Sequence, residues 1–294
     1  MKSFLYCANI QILETLPLHK INKILIGIAF SPNLKPNIFE AVRLANMFDA
    51  ELVGVHVGEK TDQKITDLNI LLKEADTLKK GFKTIWQEGK PVDVILQTCT
   101  KENIDLLILG ALQQENLLKY YVGSIARKIT RKAPCSVLLL IKPSVKRLKC
   151  THIVVNGLKD HKTEGTIRTS FLIAKALDCK KITIVEEIKQ EELHVTVNDD
   201  KSLRRANIAK ERITTRENRR LQNILKDIDC SNFSIKMQSI FGKRGYSIGH
   251  YAKVKRADLL VMNAPVKSGL LDRIFPHDIE YILSELPTDV LIVR

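Results

Sequence analysis

The chain has 294 residues, 47 of them Lys or Arg and 33 Asp or Glu, for a formal net charge of +14 and a pI near 9.5. That length accommodates two domains of ordinary size, each able to bury a core, and with 45% hydrophobic residues the composition excludes fibrous and disordered classes. The six cysteines (Cys7, Cys99, Cys135, Cys150, Cys179, Cys230) form no CxxC pair and no His/Cys cluster at metal-ligand spacing, so reduced thiols and no metal are expected, as in the cytosol.

In chain order, the opening MKSFLYCANIQILETLPLHK is broken by Asn9, Gln11 and Glu14. It reads poorly as a signal peptide and is too short for a membrane span, so residues 1–20 are taken as an extension of a cytoplasmic protein with no transmembrane segment. Residues 23–28 (KILIGI) form a continuous apolar run, the mark of a strand covered on both faces. Helical spacing of Ile38, Ala41, Val42, Ala45 and Phe48 follows over 36–48, then a strand over 51–57 and a helix over 65–80 with Leu68, Leu71, Leu72 and Ala75 inward. A strand over 82–88, a helix over 92–100, a strand over 104–109, a helix over 124–131 and a strand over 136–141 complete the first series. After a basic linker at 143–149, strands recur near 152–155, 181–186, 233–240, 258–262 and 289–293.

The second series repeats the first. Asp105 falls on Asp258, Gly110 on Asn263, Gly123 on Pro276, Pro134 on Pro287 and Val137 on Val290, all at an offset of 153. Ile24, Ala45 and Asp49 fall on Ile153, Ala174 and Asp178 at an offset of 129, so the second copy carries about 24 extra residues between its second and third strands. Alternating strands and helices predict an α/β fold of two doubly wound, Rossmann-like, five-stranded parallel sheets related by a pseudo-twofold axis. The expected division is an extension at 1–20, a first domain at 21–146 and a second at 147–294, with a basic insertion at about 187–230. The two repeats are expected to associate with each other, or two chains to form a homodimer.

Ligands of such sheets bind outside the carboxyl ends of the strands, where strand order reverses, which directs attention to the loops after the first and fourth strands. Gly110 ends the fourth strand, where the missing Cβ allows close approach, and Gly123-Ser124 opens a helix whose free N–H groups suit a phosphate. The plainer reading is a tight turn and an N-cap. With Ala133-Pro134-Cys135-Ser136-Val137 leading into the fifth strand, these residues resemble the universal stress protein family in its tandem form, over residues 21–142 and more weakly over 150–294. The resemblance implies an adenine-nucleotide alpha-hydrolase-like fold, a cytosolic stress-response or regulatory role, and ATP or AMP bound in the first copy by Ala29, Val57, Gly110, Gln113, Gly123 and Ser124.

Two departures from that family's pattern are visible. Gln113 stands where the family has a glycine, and its amide either crowds the phosphates or donates to them. Ala29 replaces an acidic residue that the resemblance implies at the nucleoside. In the second copy Asn263, Val266, Pro276-His277 and Leu158 replace the corresponding residues, and a proline has no N–H for a phosphate. His277 beside Asp278 is read as a helix cap, and Asn156-Gly157 as a turn. The second copy is therefore expected to be structural or partner-binding, and an adaptor protein with both sites degenerate, for example for a membrane transporter, is the competing reading. No GxxxxGK[ST], GxSxG or HExxH motif is present, so no catalytic residue is assigned. Residues 198–228 interleave basic and acidic side chains, including Arg212, Arg216, Arg219 and Arg220, with a loose apolar stripe and no aromatic residue. They are read as a solvated ion-pair helix rather than a nucleic-acid surface.

Overall fold

A computed structural model describes residues 20–113, 120–265 and 278–294; apart from Lys20, the expected extension lies outside them, as do Val266, Pro276 and His277. The first half runs β1 (Lys23–Ile28), α1 (Leu34–Phe48), β2 (Glu51–Val57), α2 (Asp62–Glu74), β3 (Phe82–Gln87), α3 (Pro91–Lys101), β4 (Leu106–Gly110), a short hairpin of β5 (Leu112–Gln113) and β6 (Tyr120–Tyr121), α4 (Ser124–Lys132) and β7 (Ser136–Leu140). The second runs β8 (His152–Asn156), α5 (Thr163–Ala176), β9 (Lys181–Ile188), a 3-10 turn (Gln190–Leu193), α6 (Asp200–Leu225), β10 (Ser234–Phe241), α7 (Tyr246–Val254), β11 (Leu259–Asn263), α8 (Asp278–Ser284) and β12 (Asp289–Val293).

Continuous apolar runs become central strands: Ile24, Leu25 and Ile26 of β1 and Ile153, Val154 and Val155 of β8 are inaccessible or nearly so. Helix α2 begins at Asp62 rather than Ile65, because Thr61 Oγ1 accepts the Lys64 N–H at 3.3 Å. It stops at Glu74, well before residue 80, where Ala75 turns extended.

Each half is a five-stranded, fully parallel sheet, ordered β7-β4-β1-β2-β3 and β12-β11-β8-β9-β10. They are not two separate sheets as expected. The edge strands β7 and β12 pair antiparallel, fusing them into one ten-stranded sheet. The pairing satisfies the open N–H and C=O row that each edge would otherwise present. The apolar layers run on across the seam: Ile24, Leu106 and Leu138 share one core with Ile153, Leu259 and Leu291.

A second device recurs in both halves. Asp105 Oδ2 accepts the N–H groups of Asn22 and Lys23 at 2.8 and 3.0 Å, and its repeat mate Asp258 accepts those of Thr151 and His152 at 2.7 and 3.0 Å. One carboxylate at the mouth of the fourth strand thereby fixes the start of the first.

Candidate functional site

Strand order reverses at β1, which lies between β4 and β2, so the loops after β1 and β4 flank the crevice as anticipated. Ala29, Gly110 and Ser124 are exposed there, while Gly123 and Val57, the last residue of β2, are half-buried. Gly123 is the N-cap of the nine-residue α4, and no side chain among the described residues takes up the first helical amides. A Cβ at Gly123 would stand 2.9 Å from Leu112 Cδ1, and one at Gly110 3.1 Å from Asn37 Nδ2. Asn37, in the first turn of α1, has a buried Oδ1 with no hydrogen-bond partner among the described residues. A polar atom left unpaired beside Gly110 suits a ligand that donates a hydrogen bond, and the same feature recurs in the second half at Thr166 Oγ1, the repeat mate of Asn37, and at Asn263 Oδ1.

The described ends of the segment between Gly110 and Gly123 pair with each other. Leu112 pairs with Tyr121 and Gln113 with Tyr120, placing the Gln113 backbone inside the hairpin. That hairpin is fastened to the other half: the Val122 N–H donates to Leu283 O at 3.0 Å and the Leu286 N–H to Tyr120 O at 2.9 Å.

Beside Ala29 lies a feature that sequence reading missed. Phe30, His56 and Trp86, at the ends of β1, β2 and β3, form one aromatic cluster with ring centroids 5.0 to 6.2 Å apart. His56 is buried, with Nδ1 at 2.9 Å from Ile28 O and Nε2 at 3.3 Å from Lys64 Nζ. Since an ammonium can only donate, Nε2 is the acceptor and Nδ1 carries the proton. Lys64, from α2, also sits 5.9 Å from the Phe30 ring. Where an acid was implied, this half presents aromatic faces and a cation.

At the corresponding place in the second half, side chains among the described residues bridge the loops. Asn263, standing for Gly110, donates to Thr163 Oγ1 at 3.0 Å, and Lys162 Nζ reaches Ala264 O at 3.2 Å, lacing together the loops after β8 and β11. Asn156 Oδ1 accepts the Leu158 N–H at 2.9 Å, the expected turn. Helix α6 then lies across the loop: Arg220 donates to Gly157 O and to Glu186 Oε2, and to Glu217 Oε2 at 2.8 Å, while Leu221 is fully buried. Burial pushes the Glu186 carboxyl up to about 7 in spite of Arg220. At Glu217 burial acts in the same direction, but hydrogen bonds from Arg220 and Arg216 outweigh it and hold the carboxyl below its usual range. The insertion is therefore not a wholly solvated helix: its Arg212 and Arg219 are exposed, but Arg220 is turned inward. Neighbouring Glu187 accepts the N–H groups of Gly245 and Ile248 at 2.9 and 2.8 Å, anchoring the start of α7.

Among the described residues no group of three or more His, Cys, Asp or Glu could hold a metal, and no helix is long and apolar enough to cross a membrane. Residues 63–140 match the universal stress protein family. Universal stress protein MJ0531 of Methanocaldococcus jannaschii is 30% identical over 122 residues, 35% of this chain and 72% of that protein. A protein of unknown function, PA1789 from Pseudomonas aeruginosa, superposes with a TM-score of 0.67 at 17% identity, covering 94% of this chain and 93% of that one. A universal stress protein from Archaeoglobus fulgidus gives 0.65 at 13% identity, covering 94% and 99%.

Proposed function

The chain belongs to the universal stress protein family, and on that premise we propose that it is a cytosolic, non-enzymatic regulator that binds one adenine nucleotide, ATP or AMP, in its first half. The observation that carries this reading is the paired approach of Gly110 and the α4 start at Gly123-Ser124 to the crevice where strand order reverses. Phosphates would lie against those amides, with Gln113 on the adjoining hairpin. The nucleoside would lie towards Ala29 and Val57, where the aromatic faces of Phe30 and Trp86 replace the missing carboxylate as the means of holding a base.

The boundary between a first unit ending near residue 146 and a second beginning at 147 follows from the same reading. The second unit serves as a scaffold, and its insertion at about 187–230 takes up the space of a ligand. This internal closure also supports a partner-binding role for the second half, with regulation exerted from the first. Mass spectrometry of small molecules released from freshly purified protein tests the proposal: an adenine nucleotide near one equivalent per chain is expected. Protein free of nucleotide that also fails to take up ATP or AMP would overturn it.

A further inference from the structure

The fused sheet leaves a cavity of about 280 Å³ on one face of the seam, whose lining includes none of the residues assigned to the nucleotide crevice. Its walls are made by repeat mates: Leu138 and Leu291 from β7 and β12, and Phe48 and Leu177 at the ends of α1 and α5. The linker forms its rim. That linker is held by Arg43, which donates to Ser144 O and, at 2.8 Å, to Val145 O, while the Ser144 N–H donates to Glu40 Oε1 at 3.2 Å. Leu148, 69% exposed, borders the opening.

Two carboxylates break the symmetry of the walls, Glu40, whose repeat mate is Thr169, and Asp289. Asp289 lines the cavity where its repeat mate is Ser136, and it accepts the Ile141 N–H at 2.8 Å. The other carboxylates present are engaged: Glu40 with Arg43 and Ser144, and Asp258 with Thr151 and His152. Lys142 lies over the Tyr120 ring at 5.5 Å, and Lys149, exposed, and the Cys150 thiol complete the titratable groups. A largely apolar chamber with a carboxylate in its wall selects a molecule with an apolar body and one cationic donor, because a partly buried carboxylate gains from a charge-assisted hydrogen bond.

We propose that this seam cavity is a binding site for a small amphipathic amine, its apolar body between Leu138 and Leu291 and its ammonium on the Asp289 carboxylate. Burial pushes the Asp289 carboxyl up to about 7, so the site gains its charge as pH rises through neutrality. Such a site couples ligand binding to the seam between the halves.

Calorimetric titration of the full chain at pH 8 with octylamine, octanol and octanoate tests the proposal. Octylamine should bind at one equivalent per chain, about tenfold more tightly than octanol, with octanoate weakest. Asp289→Asn, nearly isosteric, should remove that advantage and leave octanol unchanged. Lowering the pH to 6 should weaken octylamine in the wild type and not in the variant. Failure of octylamine to bind, octanoate binding as well as octylamine, or an Asp289→Asn protein that keeps the preference would each overturn it. Folding of the variant is checked by its circular dichroism, and Leu148→Ala, at the rim, provides a second variant expected to keep the amine preference.

Discussion

Leu138 stands opposite Leu291 in the antiparallel ladder joining β7 to β12, and the two are the same position of the internal repeat. Their neighbours follow suit: Val137 faces Ile292 and Leu139 faces Val290. The pseudo-twofold axis therefore passes between these two leucines. It also relates the Ile141 N–H, which donates to Asp289 Oδ1 at 2.8 Å, to the Arg294 N–H, which donates to Ser136 Oγ at 3.3 Å. One chain forms within itself a pseudo-isologous interface between its two halves.

The charges near that axis show why the halves suit each other rather than themselves. Arg127 and Glu280 are also repeat mates, and they form an ion pair at 2.8 Å, with Arg131 adding a second contact to Glu280. Two copies of either half would set like charges against each other. Glu280→Arg should cost about 2 to 4 kcal/mol, because Glu280 is largely buried and its partners would lose their counter-charge. The double variant Arg127→Glu/Glu280→Arg should recover part of that loss in a denaturant titration. No recovery would mean that the pair does not contribute to the seam.

Within α6 the arginines should separate sharply. Arg212→Gln and Arg219→Gln, at exposed positions, should shift stability by only a few tenths of a kcal/mol. Arg220→Gln should cost about 3 kcal/mol, since it leaves Glu186 and Glu217 buried without their shared cation. Thermal melts of the three single variants decide it; equal effects would place α6 back in solvent.

This contrast also marks what the sequence could reveal. The positions of the strands along the chain, the repeat and the loops after β1 and β4 were legible because unbroken apolar runs and a constant offset need no tertiary information. The inward turn of Arg220 was not, because its neighbours Arg216 and Arg219 look identical until the helix has a surface to pack on. The apolar stripe was a partial guide: Leu221 is buried, yet Ile208 is half exposed. Phe30, His56 and Trp86 lie far apart in sequence and meet only because their strands pair in register, β1 with β2 and β2 with β3. The fusion of two sheets into one was likewise hidden, since nothing in β7 or β12 separately shows which edge it will meet.

Stability should depend on pH through the carboxyls that burial has raised. Asp289 and Glu186 each release their protons near 7 in the folded chain but near 4 when unfolded. The folded state thus holds more protons in between, and the stability they contribute is complete below about pH 4 and lost as pH rises through 7. His152 acts in the opposite sense, since burial lowers its pKa. The comparison to make is therefore between variants. From pH 5.5 to 8 the wild type should lose stability relative to Asp289→Asn, measured by melting temperature, and a constant difference would contradict this assignment.

The central claim, that the first half alone takes a nucleotide, is tested most directly by calorimetric titration of ATP and AMP into wild type, Gly123→Val and Asn263→Ala. One equivalent per chain is expected, abolished by Gly123→Val, whose side chain would meet Leu112 at the α4 start, and unaffected by Asn263→Ala. Circular dichroism melts establish that the glycine variant is folded. Two equivalents per chain, or binding that survives Gly123→Val and disappears in Asn263→Ala, would contradict it.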